Sequence, residues 1–308
     1  MALQQHDIRN FQNYHHQLSW LQIIRPLTLT GTISPIIVGT IMASYKGPIQ
    51  LELFIVLLIA TVFIQAAVNI LNDYFDFANG QDKEKWRMTD AQDETQGPSH
   101  SQLLFVALGL LVFAAILGLW LAVHTHYSVI LIGIIGIYAG YKYSAGGRRS
   151  LSALGLGEVI ATIFLGFVPM LLALWVQDQA FGRIAFIVAC LFAILISMMI
   201  LTNNIRDIDK DKGFRQTVAM RMGKRRAVQL LTVLSVSAYV LLVVLVISKI
   251  LPWMTLIVLF AVPVAFHLRM AFRKSATRLE EIKGMKLVAQ HHWLFSLLLI
   301  VGMLIGGQ

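Results

Sequence analysis

The sequence predicts an all-α integral membrane protein with about nine transmembrane helices around a central cavity. Hydrophobic residues make up 57% of the 308 positions and charged residues only 13%, which separates the chain from soluble globular domains. The charges are confined to short blocks, and the stretches between them are about long enough to cross a hydrocarbon core of roughly 30 Å as helices. Helices are favoured over strands because the alternating pattern of membrane barrels does not occur.

Nine apolar stretches divide the chain. Their predicted bounds are 26–45, 53–72, 103–123, 127–142, 151–177, 184–204, 227–248, 250–268 and 287–307. Residues 26–308 are therefore expected to form a single transmembrane domain. Residues 1–25 are expected to form a separate cytoplasmic segment, either an interfacial helix that includes Trp20 and Ile23 or a disordered tail.

The distribution of Lys and Arg predicts the orientation. Of the 25 Lys and Arg residues, 22 lie in the N-terminal segment and in alternate connections, and only Lys46, Arg183 and Lys249 lie on the other side. The positive-inside rule then places the N-terminus and these connections in the cytoplasm. The formal net charge of +9 suits anionic lipid headgroups or an anionic substrate, and so apolar a chain argues against nucleic acid as a partner.

The second predicted span ends in four oxygen-bearing side chains at helical spacing. They are Asn69, Asn72, Asp73 and Asp76. At about 100° per residue all four share one helix face about 100° wide. Gly80 then offers a helix stop, and Asp82 follows on the loop. We call these four residues and Asp82 the first motif.

The sixth predicted span ends in a similar way. Its oxygen-bearing face comprises Asn203, Asn204, Asp207 and Asp211, which we call the second motif. Asp209 points away from this face on the helical wheel. We therefore predict that Asp207 and Asp211 are ligands, whereas Asp209 is solvated or paired with a lysine.

Any one of these carboxylates is as readily explained as an ordinary residue at a helix end. Together they are more informative, because an Asp at the centre of a membrane helix costs about 2.5–3.5 kcal/mol, and less near the interface. Two such faces at corresponding depths indicate a shared cavity that contains compensating cations. Carboxylate and amide oxygens favour Mg²⁺, which takes only one or two protein carboxylates and fills its shell with waters and phosphate oxygens. This pattern points to a diphosphate.

Basic residues beside the two motifs are candidates for binding that diphosphate. They are Lys142, Arg148, Arg149, Arg206, Lys210 and Arg215. Some of them are expected only to set the topology. The adjacent pair His15 and His16 is a weak metal candidate, because neighbouring side chains diverge by about 100° on a helix.

The string Asn72-Asp73-x-x-Asp76, followed by Asp207-x-x-x-Asp211, resembles the two signatures of the UbiA superfamily of intramembrane aromatic prenyltransferases. Further strings resemble the branch that prenylates 1,4-dihydroxy-2-naphthoate in menaquinone biosynthesis. These strings are Arg25-Pro26-x-Thr28-Leu29, Ser34-Pro35, Gly80-x-Asp82, Gly155-x-Gly157-Glu158 and Asn203-Asn204-x-Arg206-Asp207 with Thr217. The broader superfamily pattern has Asp where this chain has Gly80, and this departure weakens a 4-hydroxybenzoate or haem-farnesylating assignment.

The resemblance implies two Mg²⁺ ions, one held by Asp73, Asp76 and Asp82 with help from Asn69 and Asn72. Asp207 and Asp211 would hold the other. Asp73, Asp76, Asp207 and Asp211 would be the catalytic residues. The implied reaction transfers a polyprenyl group from polyprenyl diphosphate to 1,4-dihydroxy-2-naphthoate, with loss of the ring carboxylate and release of diphosphate, and gives demethylmenaquinone. The implied location is the bacterial cytoplasmic membrane, with the active site toward the cytoplasm and the prenyl tail in the lipid bilayer.

Four residues are candidates for binding the aromatic acceptor. They are Arg25, Tyr143, Glu158 and Asn204. Glu158 lies seven residues after Leu151, inside the predicted fifth span, where an acid usually faces an internal cavity. Acceptor binding and a structural hydrogen bond are equally consistent with that position.

Three other functions fit parts of the pattern. A prenyltransferase for another aromatic acceptor, such as 4-hydroxybenzoate, would need the same two motifs. An ion-coupled transporter also uses intramembrane acids, but those acids should lie near the midplane and not at the ends of spans. A phosphatidyl-group transferase would show a denser run of Asp, Gly and Ala-Arg in one motif, and no such run occurs.

Overall fold

A computed structural model describes residues 14–88, 97–180 and 182–307, and most of these residues are helical. The longer helices are α2 (Thr30–Ser44), α3 (Leu51–Ala78), α4 (His100–His124), α5 (Ser128–Ser144), α7 (Val168–Val176), α8 (Arg183–Arg206), α10 (Lys224–Ile247), α11 (Val262–Met270) and α12 (Arg278–Gly306). The short ones are α1 (Trp20–Ile24), α6 (Gly157–Ala161) and α9 (Val218–Met222). Strands β1 (Tyr14–His16) and β2 (Trp86–Met88) form a small antiparallel ladder.

Seven helices of the described residues are long and apolar enough to cross a membrane. They are α3, α4, the continuous run from α6 through α7, α8, α10, the run 253–270 that ends in α11, and α12. The residues from Trp20 to Ser44 give an eighth if the pair of helices there, bent by 44°, counts as one span, and α5 is shorter. The membrane-spanning all-α class is confirmed, whereas the count of nine, the central cavity and the cytoplasmic N-terminus stay predictions.

The start of the predicted fifth span was wrong. Residues 151–155 form turns, in which Gly155 adopts a φ of +78°, and the helix begins only at Gly157. A π-helical stretch at Thr162–Phe167 joins α6 to α7. Glu158 therefore lies in the first turn of the helix and not two turns inside the membrane.

Helix α8 lies at the centre of the fold, since 61% of the residues in an apolar 18-residue stretch of it are buried. It belongs to the largest hydrophobic cluster, in which Phe192 of α8 and Phe295 of α12 are fully buried. Gly166 lets the π-helical stretch approach α8 closely, since a Cβ there would lie 2.6 Å from Cα of Ala193. This packing holds α8, which carries the second motif, at a fixed position among its neighbours.

The described part of the N-terminal segment, from residue 14, forms a short strand and then a short helix. Strand β1 pairs with β2, with His15 opposite Arg87 and His16 opposite Trp86. Helix α1 follows, and its Ile23 is fully buried. The segment therefore packs into the fold beside the first motif, and the short ladder is a detail that the all-α prediction missed.

Candidate functional site

The ends of α3 and α8, and the loops that follow them, meet at one face of the protein. The Lys210 ammonium group after α8 lies 2.5 Å from the Asp82 carboxylate after α3. Arg215, from the same loop as Lys210, donates to Asp76 of α3 at 2.5 Å. The two motifs, 130 residues apart in sequence, are therefore joined by two ion pairs.

Asp73 is the most buried acid of the first motif, with a side chain only 1% exposed. Its Oδ1 accepts from Arg25 Nη2 at 2.6 Å and from Lys85 Nζ at 3.1 Å. Its Oδ2 has no hydrogen-bond partner among the described residues and faces His16 Nε2 at 3.8 Å. One oxygen of this buried carboxylate is therefore satisfied by cations, and the other is open.

Asp82 adopts a left-handed backbone conformation just past the helix, with a φ of +52°. Its carboxylate lies 2.5 Å from Lys85 as well as 2.5 Å from Lys210. Burial alone would raise the pKa of Asp82, but the two ammonium groups lower it to about 2. Asp82 is therefore ionised at neutral pH and ties both loops together.

The second motif is also neutralised by basic side chains. Asp207 is the C-cap of α8 and pairs with Arg206, and Arg278 of α12 lies 3.5 Å from its Oδ1. Arg206 also donates to Asn203 Oδ1 at 2.7 Å. Guanidinium groups from two helices therefore surround Asp207.

Asp211 is buried but has no ion pair among the residues that the structure describes. Burial raises its pKa to about 6, against the opposing effect of Arg215, and the neighbouring carboxylates of Asp207 and Asp76 add to the rise. Of the acids in the two motifs, Asp211 is the one whose charge the protein compensates least.

Asp209 points away from the acids of the two motifs. Its side chain is 90% exposed and pairs with Lys212 at 2.6 Å. This placement matches the predicted direction, and the prediction that Asp209 is not a ligand remains to be tested.

The predicted diphosphate-binding residues divide into two groups. Arg206, Lys210 and Arg215 each form an ion pair with an acid of one of the two motifs. Arg148 and Arg149 are exposed on a single turn after α5, and neither has an ion pair in the described ranges. Lys142 lies near that turn, since a Cβ at Gly146 would be 3.3 Å from its Nζ.

A cavity of about 220 Å³ lies where the two loops meet. Gly80, Gln81, Asp82, Lys83 and Glu84 line one wall, and Lys210, Asp211 and Phe214 line the other. Side chains of both charges face this space, which suits a ligand that contains both a cation and an anion.

Comparison with known proteins places this arrangement in context. The model of the UbiA prenyltransferase family matches residues 32–295. The chain belongs to the UbiA prenyltransferase family. The resemblance drawn from the two motifs is thereby confirmed, and the protein is a membrane prenyltransferase.

Two relatives cover most of the chain. The 1,4-dihydroxy-2-naphthoate octaprenyltransferase of Bacillus subtilis (strain 168) is 32% identical over 94% of this chain and 93% of its own length. The 2-carboxy-1,4-naphthoquinone phytyltransferase of Synechocystis sp. is 26% identical over 90% of each chain.

Solved structures share the fold. The apo structure of a UbiA homolog from Aeropyrum pernix K1 has a TM-score of 0.66 at 14% identity and covers 90% of this chain and 97% of that one. A UbiA homolog from Archaeoglobus fulgidus bound to DMAPP and Mg²⁺ has a TM-score of 0.58, also at 14% identity, over 92% of this chain and 99% of that one.

The donor set of this prenyltransferase fits Mg²⁺. Among the described residues no three His, Cys, Asp or Glu side chains surround one point. Mg²⁺ does not need three, because substrate phosphates and waters complete its shell. The buried Asp73 Oδ2 is open, and the Asn69 amide nitrogen donates to Ile24 O at 2.8 Å, which leaves the Asn69 oxygen available. Asn72 and Asn203 are less available, since their oxygens accept from Ser144 and Arg206.

The acceptor candidates occupy different positions. Arg25 donates to Asp73 and therefore lies beside the first motif. Glu158 Oε1 accepts from Asn204 Nδ2 at 2.8 Å and from the backbone N–H of Val218 at 2.7 Å. Tyr143 lies beside them, because a Cβ at Gly157 would be 3.4 Å from its hydroxyl. The contacts of Glu158 favour the structural hydrogen bond over acceptor binding.

Replacing Glu158 with glutamine is expected to preserve stability and activity, because the amide oxygen still accepts both hydrogen bonds. Glu158→Leu leaves the Val218 N–H and the Asn204 amide unpaired, which should cost about 1–3 kcal/mol of stability for each buried group. Thermal unfolding in detergent, followed by tryptophan fluorescence, measures the difference. A Glu158→Gln variant that folds normally but no longer turns over would instead assign Glu158 to the chemistry.

Sequence reasoning missed three residues that contact the motifs. Lys85 bridges Asp73 and Asp82, Arg278 approaches Asp207, and His16 faces Asp73. Lys85 carried a signal, because it follows Asp82 by three residues in a turn. Arg278 is far from the motifs in sequence and gave no such signal, and His16 was considered only as a weak metal candidate together with His15.

Proposed function

We propose that the protein transfers a polyprenyl group from polyprenyl diphosphate to 1,4-dihydroxy-2-naphthoate, with loss of the ring carboxylate as CO₂ and release of diphosphate, to give demethylmenaquinol, the reduced form of demethylmenaquinone. The observation that carries this proposal is the pair of oxygen-rich helix ends joined by Lys210 and Arg215 in a membrane prenyltransferase. A relative that is 32% identical over nearly the whole chain has the matching activity in its name.

The carboxylates are proposed to hold Mg²⁺ when the diphosphate binds. Asp73, Asp76 and Asp82, with Asn69 and Asn72, would serve one ion, and Asn203, Asp207 and Asp211 the other. Bound Mg²⁺ would neutralise the negative charge that develops on the departing diphosphate. The spare oxygen of Asp73 and the uncompensated charge of Asp211 support this assignment.

The basic residues are proposed to exchange partners on binding. Arg215 and Lys210 neutralise Asp76 and Asp82 in the structure. Once another cation joins those carboxylates, both side chains are free to donate to diphosphate oxygens. Charge-assisted hydrogen bonds of this kind are strongest where water is excluded, and they act where charge develops in the transition state.

The remaining substrates fit the surroundings of the site. A prenyl chain is itself a membrane solute, so its tail is proposed to lie among the apolar helices while its head reaches the charged face. Because 22 of the 25 Lys and Arg residues lie on that face or in the N-terminal segment, we place it in the cytoplasm of a bacterial cell, at the inner surface of the cytoplasmic membrane.

Purified protein in detergent is expected to convert 1,4-dihydroxy-2-naphthoate and a long-chain prenyl diphosphate into demethylmenaquinol in the presence of Mg²⁺. The product is detected as demethylmenaquinone after oxidation by air. The measurement is product mass, with 4-hydroxybenzoate as the competing acceptor. Naphthoate should be strongly preferred, and chelation with EDTA should stop turnover until Mg²⁺ is restored.

Each failure has a distinct meaning. Turnover of 4-hydroxybenzoate alone would refute the naphthoate assignment but leave the prenyltransferase assignment intact. Full activity in EDTA would refute the role proposed for the carboxylates. Retention of the carboxylate in the product mass would refute the decarboxylation step.

A further inference from the structure

The N-terminal strand β1 is tied to the loop that follows the first motif. Its His16 N–H donates to Pro98 O at 2.9 Å, and the next N–H, of Gln17, donates to Lys85 O at 2.8 Å. Gly97 permits this approach, since a Cβ there would lie 2.1 Å from the His16 carbonyl oxygen. The strand therefore has a fixed position next to the residues that contact Asp73.

The imidazole of His16 is held in one tautomer. The ring is 1% exposed and packs edge-on against Trp86, with centroids 4.8 Å apart. Its Nδ1 accepts the backbone N–H of Leu18 at 3.0 Å, so the ring proton is on Nε2. A ring in this state donates from Nε2, and it serves neither as a base nor as a metal ligand through that atom.

The protonated nitrogen faces the open oxygen of Asp73. The separation of 3.8 Å between His16 Nε2 and Asp73 Oδ2 is too long for a hydrogen bond. Both atoms are buried, and neither has another partner among the described residues. A buried donor and a buried acceptor facing each other need a movement of only about 1 Å to form a hydrogen bond.

We propose that His16 is a positioning residue for Asp73, whose Nε2–H orients the carboxylate when diphosphate and its cation bind. This inference rests on the proposed role of Asp73 in the diphosphate site. When Arg25 or Lys85 turns from Oδ1 toward the diphosphate, the carboxylate is free to rotate and its Oδ2 approaches His16. Oδ2 then accepts the Nε2–H with one of its two lone pairs, and its other lone pair and Oδ1 remain available to the cation. The N-terminal strand is then part of the active site, and removal of residues 14–18 removes a functional group.

Four variants test the proposal. The variant His16→Gln has an amide donor at the position of imidazole Nε2. The variant His16→Asn has its amide donor at the position of Nδ1. His16→Phe keeps the ring against Trp86 without the donor. His15→Phe is the matched control, because neighbouring side chains on a strand point to opposite faces.

The measurements are Mg²⁺-dependent binding of geranyl diphosphate, kcat, and the Mg²⁺ concentration at half-maximal rate. We expect His16→Phe and His16→Asn to lower kcat or raise that Mg²⁺ concentration by about 10–100-fold, the usual effect of removing a residue that orients a metal ligand. His16→Gln should restore most of the loss, and His15→Phe should resemble the wild type. Thermal unfolding should be similar in all variants that retain Trp86 packing.

Three results would overturn the inference. One is equal loss in His15→Phe and His16→Phe, which would indicate strand packing alone. Another is equal activity of His16→Gln and His16→Asn, which would show that a donor at the position of Nε2 is not needed. This comparison remains valid even if His16→Phe does not fold. The third is wild-type Mg²⁺ dependence in every His16 variant. If the wild-type protein itself binds no geranyl diphosphate with Mg²⁺, the proposed function fails and this inference with it.

Discussion

Asp73→Ala and Asp207→Ala should each reduce turnover by at least about 10³-fold, whereas Asp209→Ala should leave it near the wild-type rate. Removing one preorganised group that stabilises developing charge commonly costs about 10²–10³ in kcat. A metal ligand at the same position should cost as much or more. Asp209 differs because its side chain is 90% exposed and pairs with Lys212. The readout is initial rate with prenyl diphosphate and naphthoate at saturating Mg²⁺.

Loss of folding must be separated from loss of chemistry in this series. Asp73 is buried against Arg25 and Lys85, so its removal leaves Arg25 without its ion-pair partner, whereas Lys85 keeps its ion pair with Asp82. Asp73→Asn keeps the shape and one oxygen, and should fold better than Asp73→Ala while remaining inactive. Equal activity loss in the Asp73, Asp207 and Asp209 variants would show that the assignment of helix faces is wrong.

Local periodicity correctly predicted where the acids lie. The spacing of Asp73 and Asp76 places both on one face of α3, and both are buried. The second motif is more instructive, because α8 ends at Arg206 and the residues after it form turns. A helical hydrogen bond persists there, since Asp211 N–H donates to Asp207 O at 2.9 Å, and the prediction that Asp211 is a metal ligand stays a prediction. The wheel therefore remained valid past the end of the helix.

Partner choice was not predictable from the same pattern. Asp73 pairs with Arg25, 48 positions earlier, and Asp207 is approached by Arg278, 71 positions later. Charge density in the loops predicted that cations would be near, but not which cation meets which acid. That choice depends on how the helices pack, and spacing along one helix carries no information about it.

The two errors in the predicted fold, which are the start of the fifth span and the missed β1–β2 ladder, have a related origin. Hydropathy predicted a fifth span from residue 151, because Leu151, Leu154 and Leu156 are apolar, yet none of these residues is helical. Hydropathy reports that a segment avoids water, not that its backbone is helical. The ladder between β1 and β2 joins segments about 70 residues apart, and three-residue strands are too short to show an alternating pattern.

Arg215→Met should lower kcat/KM for prenyl diphosphate by about 10²–10³-fold, because Arg215 is the buried cation that joins the two motifs. Its side chain is 11% exposed and donates to Asp76 at 2.5 Å and to Gln81 at 3.3 Å. Arg215→Lys should recover only part of the loss, since an ammonium group does not reproduce the planar fork. Lys212→Met is the control, because Lys212 lies in the same loop but is 66% exposed and faces Asp209.

The double variant Asp76→Asn/Arg215→Met distinguishes stability from catalysis. Arg215→Met alone leaves the Asp76 carboxylate buried without its partner, which should destabilise the fold by about 3–5 kcal/mol. Neutralising Asp76 in the same chain removes that penalty, so the melting temperature should recover toward the wild type. Activity should not recover, because both groups are needed to bind the diphosphate and its cation. If activity returned together with stability, the ion pair between Arg215 and Asp76 would be a structural tie alone, and diphosphate binding would have to be assigned to Arg206 and Lys210.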